Sequence, residues 1–558
     1  WVVLLLSGGW LFAGKMRATD SLTMLDPFQK HYGCWMGVLL SLPAVSGELC
    51  WTASILYALG STVETIVSIH AGLSIVVSAV VILFYTSLGG LFSVVYCDSF
   101  QIICTTVGLW TCVPFILANK AVGQIGSVQG DWVGRIQFMD VPQLLDISAM
   151  TVFGGIPWQV YFQRVLSCKS VVNAKLLSYF TAMACLFLTI PAALIGAASK
   201  TANFTAAGYP GPAVLEDSGA VIGSAIRYMT PNTVSILGLA AITSAILSSA
   251  DSSMLSASTM ITQNIYRMTL RPRATVLEIG LVLRLAIWFM GALATVMALY
   301  VNSVSEFWAL SSDAVYVLLF PQLVGVFYAR KRTNSYGSFI GFSVGALFRA
   351  LCGEPLVNIP AILKLPMYDE RLGQQFPFRT LSMVLSFVTL IVTSHVAKRL
   401  FTKGTLPQKY DVCCCFTPAA TKDTADKDEK EDDPSKGGKR NSRKKPGRVP
   451  RTKAPSMFEI QEDAGEALPS AVSTASQKTD VAGISETTAA PQEEVADGSQ
   501  QNDVGKVSKE EVAGTSKKAA GHNKKKKYNR KDKSKKDSLA SSAKETATSD
   551  KEGADSLG

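Results

Sequence analysis

The stretch Ala245-Ile-Leu-Ser-Ser-Ala-Asp-Ser-Ser-Met-Leu-Ser-Ala-Ser-Thr259 decides the fold of this chain. It follows an apolar run over residues 234–242, so it predicts the inner half of a membrane-spanning helix. At 3.6 residues per turn, one face of that helix carries small and hydroxyl side chains: Ala245, Ser248, Ser249, Ser252, Ser256 and Thr259. Asp251 lies beside this face.

The oxygen atoms on this helix indicate a site for a small hard cation. Hydroxyl, carbonyl and carboxylate oxygens can replace the hydration shell of such an ion. A carboxylate inside a membrane helix is costly, so Asp251 indicates function. The alternative is that serine and alanine only allow close helix packing. The aspartate favours the ion site.

The chemistry of the chain changes near residue 402. Of its 558 residues 48% are hydrophobic, and the mean hydropathy is +0.25. Before residue 402 lie apolar runs that can cross a hydrocarbon layer of about 30 Å, which takes about 20 helical residues. The remainder is rich in Lys, Glu, Asp, Ser, Ala and Gly and cannot bury a core. We therefore predict an all-α polytopic membrane domain over residues 1–401 and a disordered cytoplasmic tail over residues 402–558.

The formal charge of +10 does not indicate a nucleic-acid partner. The basic run at residues 524–527 lies in the tail, and solvated tails are often lysine-rich. Attraction to an anionic membrane surface is the alternative. The sequence also does not indicate an enzyme, because it has 4 His, no metal-ligand spacing and no nucleophile–base pair.

Lys and Arg residues orient the eleven membrane spans that we predict. The spans cover residues 1–14, 34–62, 71–91, 100–117, 146–166, 177–198, 234–266, 277–301, 306–328, 337–351 and 381–400. Basic clusters follow spans one, five, seven, nine and eleven, so these ends are predicted to be cytoplasmic. Asn203, in the N-glycosylation sequence Asn-Phe-Thr, follows span six and therefore lies on the predicted outer side.

The 11 cysteines predict no disulfide framework, because only Cys352 falls near an outer end. Just past the last span, Cys413, Cys414 and Cys415 are candidates for S-palmitoylation. An inert cluster is the alternative.

Two longer motifs resemble signatures of the sodium/solute symporter family. They are Gly89-Gly-Leu-Phe-Ser-Val-Val-Tyr-Cys-Asp-Ser-Phe-Gln101 and Gly154-Gly-Ile-Pro-Trp-Gln-Val-Tyr-Phe-Gln-Arg-Val-Leu-Ser167. Shorter motifs resemble the choline-transporting branch of that family: Met24-Leu-Asp-Pro-Phe-Gln29, Leu310-Ser-Ser-Asp313, Gly353-Glu-Pro355 and Phe376-Pro-Phe378. The resemblance covers residues 1–410. It departs from the family at Cys97, where threonine is usual.

The resemblance implies a LeuT-like fold of thirteen helices, with an inverted repeat of five around a mid-membrane site. Eleven spans, and a chain that begins abruptly at Trp1, lead us to expect that the first two helices are absent. In the family, the first helix of the repeat supplies sodium-binding carbonyls. By resemblance, the sodium ligands on this chain are the Ala245 carbonyl and the Ser248 and Ser249 hydroxyls. The resemblance also makes Asp251 a ligand of a neighbouring sodium site.

A choline site needs aromatic faces, because choline carries a permanent charge and has no N–H donor. Each face contributes about 0.5–2 kcal/mol. Trp51, Trp158 and Trp1 match pocket aromatics of the family. For any single tryptophan the alternative is anchoring at the lipid interface. Pro157 places Trp158 in a helix-breaking context, which favours the pocket.

Acidic residues in or near the spans are candidates for charge coupling. Glu48 lies three residues before Trp51 on the same helix face and would balance cationic charge in the pathway. Asp313 is a second candidate. Glu354 is a third, with a solvated cap as the alternative. Asp146 is a fourth candidate.

The resemblance implies sodium-coupled, chloride-dependent uptake of choline through the plasma membrane, with presynaptic and vesicular membranes as further locations. It also implies that the choline supplies acetylcholine synthesis. The partners would be choline, sodium, chloride and the lipid bilayer, with trafficking or scaffold proteins on the tail. A sodium symporter for another small solute is one alternative. A ligand sensor or scaffold that does not transport is another.

Overall fold

The computed structural model describes residues 1–416 except residues 68, 126–135, 216–218, 301–303, 355–358, 371–372 and 414. At residues 91 and 92 it describes the backbone alone. The tail after residue 416, with its predicted disorder, and Cys414 lie outside the described residues. All described residues belong to one compact unit.

Helices make up most of the described chain. In chain order they are α1 Val2–Gly8, α2 Gly14–Arg17, α3 Asp26–Tyr32, α4 Cys34–Val67, α5 Ala71–Leu117, α6 Val141–Ala149, α7 Gln159–Ser167, α8 Val171–Thr201, α9 Val221–Met229, α10 Asn232–Met260, α11 Val276–Tyr300, α12 Val304–Leu318, α13 Phe320–Tyr328, α14 Ser335–Leu351 and α15 Phe378–Thr402. Three π-helical segments extend α1, α6 and α10: Gly9–Ala13, Met150–Gly154 and Ile261–Leu270. Short 3-10 turns cover Phe138–Asp140 and Gln408–Tyr410, and β1 Tyr368–Asp369 pairs antiparallel with β2 Gly373–Gln374.

Within the described ranges, eight helical segments are long and apolar enough to cross a membrane. They are Cys34–Val67, Ala71–Gly90, Ser93–Leu117, Val171–Thr201, Asn232–Leu270, Val276–Tyr300, Val304–Tyr328 and Phe378–Thr402. The other three predicted spans are also helical, but none contains an unbroken stretch of that length. The first is α1 to α2, the fifth is interrupted between α6 and α7, and α14 has 17 residues.

Several boundaries differ from the sequence prediction, and two of them have local reasons. Gly90 breaks α5 with φ 54 and ψ −149, a conformation open to glycine, and the helix resumes at Ser93. The loop predicted over residues 92–99 is therefore mostly helix. The span predicted to end at residue 266 continues as a π-helix to Leu270.

Helices α4 and α10 form the centre of the molecule. Both pack against α5 and α11, and α4 also packs against α12. Apolar side chains such as Leu56, Ile82 and Leu255 fill the space between them. Every residue of α10 from 250 to 260 is buried, so the polar groups on this half of the helix face protein.

The predicted cytoplasmic ends of the spans contact one another. The Arg17 guanidinium donates to the Cys168 carbonyl at 2.5 Å, which joins the ends of spans one and five. The Ser335 hydroxyl donates to the Tyr32 carbonyl at 2.7 Å. At the opposite ends, the Asn203 amide donates to the Ala121 carbonyl at 2.9 Å. The alternation of ends therefore agrees with the predicted topology, and the side that faces the cytoplasm stays a prediction.

Candidate functional site

A partly buried ion pair between Arg164 and Asp98 contacts the middle of α10. The Ser248 hydroxyl donates to Asp98 Oδ1 at 2.5 Å. The Arg164 guanidinium, from α7, donates to Asp98 Oδ2 at 2.8 Å and to the Ser252 hydroxyl at 2.7 Å. Neither Asp98 nor Arg164 was predicted from the sequence as a site residue. Both stand in the two longer family motifs. Arg164 is also a charged residue inside a predicted span, a signal that could have found it, whereas Asp98 lies in the loop predicted over residues 92–99.

Asp251 lies one turn along α10 and is fully buried. The Tyr85 hydroxyl donates to Asp251 Oδ2 at 2.9 Å. In the part of the chain that the structure describes, Asp251 Oδ1 has no hydrogen-bond partner. A buried carboxylate oxygen without a partner is costly, so the position fits a bound cation.

The other predicted sodium ligands lie on the less buried part of α10. Ser249 is exposed, and its hydroxyl donates to the Ala245 carbonyl at 3.1 Å. The structure thus brings Ala245 and Ser249 together, whereas Ser248 turns to Asp98 and Asp251 turns to Tyr85. Further along the same face of α10, the Ser256 hydroxyl donates to Gln163 Oε1 at 3.1 Å.

Glu48 is buried between α4 and α10, with 2% of its surface exposed. The Ser253 hydroxyl donates to Glu48 Oε2 at 2.5 Å, and Thr52 donates to the Ser253 hydroxyl at 2.9 Å. The Trp158 indole and the Val160 amide face the same carboxyl group. Among the described residues, Glu48 Oε1 has no hydrogen-bond partner.

A cavity of about 520 Å³ lies beside α4 and is walled by tryptophans. Its lining residues are Trp1, Trp51, Ala58, Gly219, Val304, Ser305 and Trp308. The ring centroids of Trp1 and Trp308 are 6.4 Å apart. Two of the three predicted aromatics therefore share one cavity with Trp308. Trp308 was not predicted as a site residue, because a tryptophan near a span end is usually an interface anchor.

Trp158 lies outside the lining of this cavity and packs against Gly47. A Cβ built on Gly47 would lie 3.7 Å from Trp158 Cη2. Gly47 is one helical turn before Trp51 on the same face of α4. Trp158 also precedes the first residue of α7, where the chain is not helical, as Pro157 predicts. Trp158 therefore packs against α4 one turn before Trp51, and Trp1 shares the cavity with Trp51.

The remaining acidic candidates form a separate ion-pair cluster that joins α12, α14 and α15. Arg349 forms ion pairs with Asp313 and with Glu354, the latter at 2.5 Å. Arg379 Nε lies 3.7 Å from Asp313 Oδ2. Asp146 Oδ1 accepts a hydrogen bond from the Thr380 amide at 2.7 Å. Glu354 is therefore ion-paired, unlike the solvated cap that the sequence left open.

The predicted modification sites lie in accessible places. Asn203 is exposed at the end of α8, and Cys413 is exposed beyond α15. The Cys415 thiol donates to the Ser335 hydroxyl at 3.2 Å, so it is less accessible. No disulfide joins the cysteines that the structure describes.

Comparison with known proteins identifies the family. The model of the sodium:solute symporter family matches residues 1–345. The chain is 43% identical to the high-affinity choline transporter 1 of Drosophila melanogaster, over 74% of this chain and 67% of that protein. It is also 43% identical to the human high affinity choline transporter 1, over 76% of this chain and 75% of that protein.

A solved structure shares the fold. A substrate-bound, outward-open Na+-coupled sialic acid symporter superposes with a TM-score of 0.54 at 18% identity, over 71% of this chain and 84% of that one. This likeness confirms the predicted LeuT-like helical fold. The relatives are transporters rather than enzymes. Because the family model matches more than half of this chain, the chain belongs to the sodium:solute symporter family.

Proposed function

We propose that this protein takes up choline together with sodium. The tryptophan cavity beside α4 is the observation that carries the proposal. A quaternary ammonium group donates no N–H hydrogen bond and is attracted to aromatic faces instead. Trp1, Trp51 and Trp308 supply such faces, and two relatives that cover most of the chain are choline transporters.

Sodium is the proposed co-substrate, bound along α10. The Ala245 carbonyl and the Ser248 and Ser249 hydroxyls form one proposed site, and Asp251 contributes to a neighbouring one. The partnerless Oδ1 of Asp251 supports this, in the described part of the chain. One charge moved across 100 mV yields about 2.3 kcal/mol. Choline and one sodium together gain about 4.6 kcal/mol, and a tenfold sodium gradient adds about 1.4 kcal/mol.

Finer features of the proposal come from the family resemblance. They are chloride dependence, a plasma-membrane location with the C-terminus in the cytoplasm, and delivery of choline for acetylcholine synthesis. Charge coupling by Glu48 belongs to the same proposal. Asp313 and Glu354 are weaker candidates for that role, because each already forms an ion pair with Arg349.

Uptake of labelled choline by cells that express the protein tests the proposal. We expect saturable uptake that disappears when sodium is replaced by an impermeant cation. Chloride replacement in the same assay tests the anion requirement separately. Uptake that persists without sodium would contradict coupling. Choline binding without accumulation would favour a sensor over a transporter.

A further inference from the structure

One carboxyl oxygen of Glu48, Oε1, is buried without a hydrogen-bond partner among the described residues. It belongs to a carboxyl group in the middle of α4, where a charge is expensive. The other oxygen, Oε2, is satisfied by the Ser253 hydroxyl at 2.5 Å. Within the described ranges, Oε1 is buried and accepts no hydrogen bond. Because nearly all buried polar atoms in proteins are paired, this acceptor is open to a ligand donor, beside the Trp158 indole and the Val160 amide that face the same carboxyl group.

The same carboxyl group borders the aromatic wall. Trp51 is three residues further along α4, on a neighbouring part of the helix surface. Gly47, the residue before Glu48, is in contact range of Trp158, and the Trp158 indole also faces the carboxyl group. A ligand whose cationic head contacts the Trp158 ring therefore lies next to this carboxyl group.

The charges around Glu48 leave it available to such a ligand. Glu48 interacts electrostatically with the basic side chain of Arg164. That guanidinium already donates to Asp98 at 2.8 Å and to Ser252 at 2.7 Å. Glu48 thus differs from Asp98, whose carboxylate is held by this guanidinium. It also differs from Asp313, which is paired with Arg349.

We propose that Glu48 Oε1 accepts a hydrogen bond from the hydroxyl group of the substrate, which makes Glu48 the residue that distinguishes choline from other quaternary amines. The inference rests on the proposed function. The hydroxyl is the one hydrogen-bond donor that choline has. A site built to bind a substrate hydroxyl rejects an analogue that lacks it, because the buried acceptor is then left unpaired. The carboxylate also disfavours analogues with a negative charge at that end.

Competition against labelled choline uptake tests the idea on the unmodified protein. The competitors are unlabelled choline, propyltrimethylammonium, in which a methyl group replaces the hydroxyl, and O-methylcholine, which keeps the oxygen but cannot donate. We expect choline to compete at concentrations at least about tenfold lower than either analogue, the range for a hydrogen bond to a charged group. Equal potency of choline and both analogues would overturn the inference.

Variants of Glu48 assign the discrimination to this residue. In Glu48→Leu, we expect the preference for choline over propyltrimethylammonium to fall to about twofold or less, because choline loses its acceptor. Glu48→Gln preserves the side-chain volume and retains an oxygen, so part of the preference should remain. A ratio of two competitors does not depend on how much protein reaches the surface. Unchanged ratios in both variants would overturn the inference.

The same assay includes a matched control, and it separates failure of the hydroxyl assignment from failure of the proposed function. Glu64→Gln removes an exposed carboxylate from the same helix and should keep the wild-type ratio. If sodium-dependent choline uptake occurs but no Glu48 variant changes the ratio, only the hydroxyl assignment fails. If the wild type takes up no choline, the proposed function itself fails.

Discussion

Two buried polar clusters in this molecule differ in one respect, which is whether their atoms are paired. The first lies at the predicted cytoplasmic end, where α3 meets the π-helical end of α10. Asn264 donates to Asp26 Oδ1 at 2.9 Å and to Gln29 Oε1 at 2.8 Å. Thr23 donates to Asp26 Oδ1 at 2.7 Å, and the Leu22 amide donates to Asp26 Oδ2 at 2.8 Å. Each of these groups finds its partner within the protein.

The second cluster lies in the middle of α4 and α10. There Glu48 and Asp251 each have one satisfied and one partnerless carboxylate oxygen, as judged over the described residues. A satisfied network stabilises a fold, whereas an unsatisfied buried group costs free energy that a ligand can recover. We therefore expect the first cluster to stabilise the fold, and we propose that the second binds ligand.

The largest expected effect is on stability, in the paired cluster. Asp26→Ala removes the acceptor from three donors, so we expect the free energy of unfolding to fall by about 3 kcal/mol or more, at about 1–3 kcal/mol per stranded group. Thermal unfolding of detergent-solubilised protein measures it. Lys30→Ala, at an exposed position of the same helix, should change little. A stable Asp26→Ala protein with altered sodium affinity would reverse the assignment of this cluster.

The next effect is on transport, in the unpaired cluster. Asp251→Asn keeps the shape of the side chain but removes its charge. We expect sodium-dependent choline uptake to fall about 100-fold, equivalent to about 2.7 kcal/mol, at similar surface abundance. Ser258→Ala is the control, because it alters a buried hydroxyl of α10 that bonds to the Met254 carbonyl of the same helix. Wild-type sodium dependence in Asp251→Asn would leave close helix packing as the role of this face.

A moderate effect is expected at the aromatic cavity. Trp51→Ala and Trp308→Ala each remove one face from the cation, so the KM for choline should rise about 2- to 30-fold, corresponding to about 0.5–2 kcal/mol. Concentration dependence of uptake, normalised to surface protein, gives the KM. Trp35→Ala changes an exposed tryptophan of α4 and should leave the KM unaltered. An unchanged KM in both cavity variants would remove the cavity from the substrate path.

The sequence predicted the helical elements better than the partners of their side chains. Long apolar runs and flanking basic residues are local signals, so the spans and the alternation of their ends followed from them. The kink at Gly90 requires a positive φ. A single glycine in an apolar run is not enough to predict that backbone conformation. The contact between Asp98 and Ser248 joins residues 150 positions apart, which no periodicity encodes.

The candidate site shows the same division. Asp251 was predicted as a site residue because a carboxylate inside a membrane helix is energetically costly, and the sequence of that helix alone shows it. Trp308 was missed because its place beside Trp1 depends on how α12 packs against α1 and α4. The pairing of Asp313 and Glu354 with one arginine was also not predicted, since it depends on the packing of α12 against α14.

The smallest expected effect is a pH dependence of stability at the predicted cytoplasmic end, near the first cluster. His31, in α3, is hydrogen-bonded to the Thr333 hydroxyl, and burial together with the Arg330 charge lowers its pKa. The unfolded chain therefore binds a proton at a higher pH, so stability is complete above the ordinary histidine pKa of about 6.5 and declines as the pH falls below it. Thermal unfolding between about pH 7.5 and 5.5 should show a smaller decline in His31→Gln than in the wild type. His395→Gln, at an exposed position of α15, is the control. An identical decline in all three proteins would exclude His31 as its source.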